Sequence, residues 1–135
     1  MTYPITAIGE IDGRLAAVLK SVGIRSTARL LESACTVRQR KLLAERTGID
    51  PATLLCWANC ADRMRVKGVS REYAELLGAA GVFTVKELKY RNPANLAKAM
   101  AEANKKRKLV RLLPSETVVA RWIESAKGLP LKIKY

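Results

Sequence analysis

The sequence predicts an all-α fold built from two copies of one helical unit, and three observations predict it. Apolar residues recur at three- and four-residue spacing along most of the chain, while strand signals are weak. Ser, Thr, Asn or Asp-Pro stands ahead of most of these stretches as a helix start, and Gly follows several of them. Finally, the chain matches itself. Ile11, Ala16, Leu19, Gly23, Ile24, Ser26 and Leu30 correspond to Val69, Ala74, Leu77, Gly81, Val82, Thr84 and Leu88, at a constant offset of 58 residues. Self-similarity of this kind dictates the architecture, because each copy is one supersecondary unit.

Each element has its own local reason. Leu15, Val18, Leu19 and Val22 mark the apolar face of the first helix. Ser26 or Thr27 caps a short helix over 28–33, and Thr36 precedes a helix to about residue 46, stopped by Gly48. Asp50-Pro51 is a cap followed by proline at the first helical position. It opens a helix with Leu54, Leu55, Ala58 and Ala61 inward. Ser70 caps a helix carrying Tyr73, Ala74, Leu76 and Leu77, ending near Gly81, and Thr84 caps 85–91. Asn92-Pro93 opens 94–106, with Leu96, Met100 and Ala103 on one face. Ser115 caps a last helix with Val118, Val119, Trp122, Ile123 and Ala126 inward, ending at Gly128. The tail 131–135 alternates and reads as extended.

The correspondence continues past the first helices. Trp57 matches Trp122 and Ala61 matches Ala126 at an offset of 65, so seven extra residues lie between. The run Lys105-Lys106-Arg107-Lys108-Leu109-Val110-Arg111 is the candidate insertion. Residues 1–62 and 63–135 are then two repeats sharing one core, each a hairpin, a short helix and two longer helices, packed with pseudo-twofold symmetry as a SAM-domain-like helical unit. Trp57 and Trp122 read as equivalent core anchors.

Composition narrows the function. Apolar residues make up 49% of 135, enough for a core without staples, and no stretch reaches the ~18 consecutive apolar residues of a membrane span. The start, Met-Thr-Tyr-Pro-Ile, lacks a basic region followed by an apolar one, so no secretory signal is read. Three cysteines, Cys35, Cys56 and Cys60, form no disulfide framework and point to a reducing compartment. The expected location is cytoplasmic, nucleoid-associated if the partner is DNA. Cys56 and Cys60 lie four apart, with no histidine to complete a zinc set, and read as buried core residues. With no histidine, no paired carboxylates and no glycine-rich phosphate loop, neither an enzyme nor a cofactor or metal site is expected.

Charge supplies the positive argument. The net charge is +13, with 8 Lys/Arg and 6 Asp/Glu in residues 1–62 but 17 and 6 in residues 63–135. That asymmetry points to a polyanion, most often nucleic acid.

In both copies the first helix is preceded by the pattern apolar-x-x-apolar-x-Gly-apolar-Gly-x-x-x-Ala-x-x-apolar, the helix-hairpin-helix signature. Glycines permit a tight turn, and the helix after it presents free N–H groups to a phosphate. The second copy has Val66, Gly68, Val69, Ala74 and Leu77 in place, with Ser70 for the second glycine and Arg63 for the first apolar residue. The first copy keeps Ile5, Ile8, Ile11, Ala16 and Leu19 but puts Glu10 and Asp12 at the glycine positions, where they would repel a phosphate. The first copy therefore reads as structural, or as an edge for a protein partner.

The chain resembles the domain-of-unknown-function 4332 family, a group of tandem helix-hairpin-helix proteins. The resemblance rests on Ala61 to Val69, Tyr73 to Leu77, Gly81-Val82, Thr84 to Leu88, Arg91-Asn92-Pro93, Lys108-Leu109-Val110, Leu113-Pro114-Ser115, Trp122-Ile123 and Ala126-Lys127. It implies the fold and no particular activity. The wider helix-hairpin-helix group includes polymerases, glycosylases and junction-binding proteins, which implies nucleic acid by analogy.

The expected function is therefore non-enzymatic, sequence-independent contact with nucleic-acid backbone, duplex DNA favoured over RNA. The candidate contacts are Arg63, Arg65, Lys67, Gly68, Val69, Ser70 and Arg71 at the hairpin, Lys86 and Lys89 on the following helix, and Lys105, Lys106, Arg107, Lys108 and Arg111 in the basic run. Aromatic residues are too scattered for a single-strand stacking platform. The rival is an adaptor for a protein partner that uses the hairpins only for packing. No membrane partner is expected.

Overall fold

A computed structural model describes residues 2–135. It is all-α. Among the described residues there are eight α-helices and no strand, only an isolated antiparallel bridge between Pro4 and Ser26. No described helix is long and apolar enough to cross a membrane. The chain divides into two compact units, Met1–Asp62 with Lys132–Tyr135, and Arg63–Leu131.

In the first unit a 3-10 turn, Ile5–Ala7, precedes α1 (Gly13–Ser21), α2 (Thr27–Ser33), α3 (Val37–Thr47) and α4 (Pro51–Arg63), whose last residue belongs to the second unit. α1, α2 and α3 each start on a side-chain cap. Asp12 accepts from the Leu15 N–H and Ser26 from the Arg29 N–H. Thr36 and Gln39 form a reciprocal capping box. Such a cap contributes about 1 kcal/mol, which decides where these short helices begin. Ile5, Leu19, Leu30 and Leu54 are fully buried beneath them.

The tail joins this unit without forming a strand. The Lys134 N–H donates to the Cys35 carbonyl at 2.7 Å, and the buried Arg40 clamps both sides, donating to Ala34 O at 2.9 Å and Lys134 O at 2.7 Å. The Tyr135 hydroxyl bonds Asn59 Oδ1 at 2.7 Å.

The second unit contains α5 (Arg71–Ala79), α6 (Val85–Lys89), α7 (Pro93–Arg107) and α8 (Glu116–Lys127). Ser70, Thr84, Asn92 and Ser115 each accept an amide three residues on, as the sequence predicts. α8 packs on α6 and α7, and α7 on α5, around Leu77, Leu88, Leu96, Met100 and Trp122. The basic run is not simply a connection, because α7 continues through Arg107. Lys105, Lys106 and Arg107 form its last turn, where cations complement the negative end of the helix. After Lys108, Asn104 folds the chain back by bonding both the N–H and the carbonyl of Val110.

The two units share detailed local geometry. α1 and α5 are both nine residues long and start 58 residues apart. Ile8 N–H to Ile5 O and Ile11 N–H to Ile8 O recur as Val66 N–H to Arg63 O and Val69 N–H to Val66 O. After these helices, Gly23 at φ +86° and Gly81 at φ +92° turn the chain, and the Ile24 to Leu19 bond recurs as Val82 to Leu77, both at 2.9 Å.

Candidate functional site

The turn before α5 follows directly from its sequence. The Val69 N–H closes it on Val66 O at 3.0 Å, and Gly68, the third residue, lies at φ +88°. A positive φ at that position alone makes this a type II turn, which excludes a side chain with a Cβ except at a strain of about 1–2 kcal/mol. The matching turn, residues 8–11, closes on the same bond but has no left-handed residue, so Glu10 fits where glycine is needed in the second unit. The two turns therefore differ in the sign of φ at their third residue.

Next to Gly68, Ser70 caps α5. Its Oγ accepts from Tyr73 N–H at 3.4 Å, and its carbonyl accepts from Ala74 N–H at 2.8 Å. Among the described residues, no acceptor meets the amides of Gly68, Ser70, Arg71 and Glu72. Lys67, Gly68, Arg71 and Glu72 are exposed, and Ser70 is half-buried. Four amide donors thus surround an open turn at the positive end of a helix, the arrangement that holds an oxyanion.

Two expected contacts are corrected. Arg63 is buried, not available to solvent: its Nε donates to Ala74 O at 2.9 Å and its Nη1 to Phe83 O at 2.9 Å. It fills the place that Ile5 takes in the first unit, and its guanidinium lies against Gly78, where a Cβ would come within 3.0 Å of Nη2. Arg63 is a core residue whose charge is balanced by carbonyl dipoles. Val69 is also interior, 1% exposed, with its amide held by Val66.

The remaining cations divide by what they already touch. Arg65 Nη2 donates to Pro130 O and Lys89 Nζ to Leu129 O, both at 3.0 Å, so the two meet at consecutive carbonyls past the end of α8. Arg71 lies 3.7 Å from Glu72 and Lys105 3.3 Å from Glu102, both exposed pairs of the kind that contribute little. Lys67, Lys86, Lys106, Arg107, Lys108 and Arg111 are exposed. Even without Lys132 and Lys134, the second unit holds 15 Lys/Arg against 6 Asp/Glu, so it remains the cationic one.

Two aromatic residues that sequence reasoning did not place at the site belong to its surroundings. Tyr73, in the first turn of α5, donates its hydroxyl to Leu112 O at 2.8 Å and so ties the loop carrying Lys108 and Arg111 to the start of α5. Its ring stacks obliquely on Trp122, centroids 5.2 Å apart. Trp122 is buried, as an anchor should be, but its Nε1 stands 3.1 Å from where a Cβ on Gly68 would lie. The pairing of Trp122 with Trp57, and of Gly68 with Glu10, was the available signal.

The acids of the turn before α1 are engaged internally. Glu10 Oε2 accepts from the Trp57 indole N–H at 3.1 Å, and Asp12 Oδ1 from the Leu15 N–H at 2.8 Å. The cysteines do not behave as a pair: Cys60 is buried as expected, but Cys56 is exposed because it falls on the outer side of α4. No group of three or more Cys, Asp or Glu that could hold a metal converges among the described residues. A hollow of about 240 Å³ in the first unit is lined by Val22, Ile24, Ser33, Leu42, Leu43 and Arg46 among others, and by no cysteine.

No curated protein and no solved structure matches the chain. A family model does match, over residues 10–129, and the chain belongs to that family, the domain of unknown function DUF4332.

Proposed function

We propose that this is a non-enzymatic, tandem helix-hairpin-helix protein that binds nucleic-acid backbone through its second hairpin. One observation carries the reading: an exposed turn whose Gly68, Ser70, Arg71 and Glu72 amides lack internal acceptors, flanked by Lys67 and Arg71 in a strongly cationic unit. The hydrogen bonds and caps recurring 58 residues apart support the tandem build. Backbone amides and Lys/Arg contact phosphates without reading bases, so the expected mode is sequence-independent, with duplex DNA favoured. Such a protein would be nucleoid-associated. The test is fluorescence anisotropy with duplex, branched and single-stranded probes at two salt concentrations. Duplex binding with log K falling at a slope of roughly −3 to −4 fits about four phosphate contacts. Salt-independent binding, or none, would refute it.

The adaptor reading has its own observation. Phe83, Tyr90, Leu112 and Leu131 are exposed apolar side chains in the second unit. A protein partner retained after nuclease treatment at moderate salt would favour it.

A further inference from the structure

Trp122 is a large aromatic side chain only 2% exposed, yet its indole N–H has no acceptor among the described residues. No sealed side-chain nitrogen or oxygen lacks a partner among those residues, so this N–H reaches solvent. It does so beside Gly68, where even a methyl group would sit 3.1 Å from Nε1 and 3.5 Å from Cδ1. The glycine leaves the indole edge uncovered at the hairpin tip.

The first unit shows what such an N–H takes. Trp57 is also buried, 3% exposed, and its indole N–H donates to Glu10, which precedes the apolar residue Ile11 just as Gly68 precedes Val69. There the chain supplies its own oxyanion. At Gly68 it supplies no side chain, and the neighbouring amides of Gly68 and Ser70 are open as well.

We infer that the Trp122 indole N–H is a ligand donor of the second hairpin, completing with the Gly68 and Ser70 amides a seat for one phosphate oxygen of a nucleic-acid backbone. This rests on the hairpin reading above and adds to it a side-chain donor contributed from α8. An indole N–H is a neutral donor that accepts no proton, so it selects an oxyanion or carbonyl and rejects cations. In the first unit the same seat is closed by an internal carboxylate.

The chain has two tryptophans, so an ¹H–¹⁵N correlation spectrum of the full protein carries two indole signals, and Trp122→Phe assigns them. On titration with a twelve-base-pair DNA duplex, the Trp122 signal should shift and its exchange with water should slow, while the Trp57 signal stays fixed. Trp122→Phe should weaken duplex binding about tenfold, as expected for one lost hydrogen bond to a charged group. If the duplex binds and moves the Gly68 and Ser70 amides but not the Trp122 indole, the inference is wrong and the hairpin reading survives. If the duplex does not bind at all, both fall. If sodium acetate shifts the Trp122 signal and the duplex does not, the seat takes a carboxylate of a protein partner, and the inference is likewise overturned. The titration uses the unmodified protein, so a poorly folded Trp122→Phe does not weaken the test.

Discussion

The guanidinium of Arg63 donates to the carbonyl of Phe83 at 2.9 Å, twenty residues along the chain, while its Nε holds Ala74 O in α5. In the first unit the Ile5 N–H reaches the carbonyl of Arg25, also twenty residues on, at 3.0 Å. A backbone donor in one place and a side-chain donor in the other satisfy carbonyls at matching points of the chain. Arg63 thus closes the second unit.

Arg63→Ala should therefore behave as a core mutation. It leaves the Ala74 and Phe83 carbonyls without this donor and removes a buried stem, a loss of about 3 kcal/mol in urea-induced unfolding. Lys67→Ala, at an exposed position two residues from the turn's close, should change stability by less than about 0.5 kcal/mol. Comparable losses for the two variants would show that Arg63 is not closing the core.

Gly68→Ala should be costly for two separable reasons. The residue sits at φ +88°, and the new Cβ meets Trp122 Nε1 at 3.1 Å. A loss of about 1–2 kcal/mol is expected from the backbone alone, seen as a lower thermal midpoint. Gly13→Ala is the matched control: nothing lies within 4 Å of its Cβ position and its φ is not positive, so it should be neutral or slightly stabilising.

The double charge reversal Lys106→Glu with Arg107→Glu tests the basic end of α7. Both side chains are exposed and lie in the last turn of the helix. Duplex affinity should fall for every sequence, and the salt slope should become shallower by about 2. Acidic residues there oppose the helix dipole, so a stability loss of about 1 kcal/mol should accompany it. Unchanged affinity would remove this segment from the interface.

Thiol labelling checks the faces of α4. Cys56 is exposed and Cys60 is 6% exposed one helical turn later. In the folded protein an aromatic disulfide reagent should modify Cys56 at least about tenfold faster than Cys60, which waits for local or global opening. Equal rates would contradict the orientation of the helix.

Much of the fold was legible in the sequence because its signals act over three or four residues. Ser70, Thr84, Asn92 and Ser115 cap their helices through an amide three positions away, so the start of each is written beside it. The end of α7 was legible too: the helix expected over 94–106 runs to Arg107, because Lys and Arg are good helix formers favoured near a C-terminus. Cys56 shows the limit: spacing puts it on one helix face with Cys60, and only packing decides that the face does not extend that far.

By itself the sequence determined an all-α chain, the places where its helices begin, the 58-residue correspondence and the concentration of positive charge after Arg63. Tertiary structure alone decided that Arg63 is interior, that Val69 is sealed while Gly68 is open, and that the indole of Trp122 stands at the turn. The physical reason is range. Caps and periodicity are satisfied by near neighbours, whereas a donor is free or occupied according to acceptors brought from eleven, twenty or more than sixty residues away, as for Arg63 and Arg65.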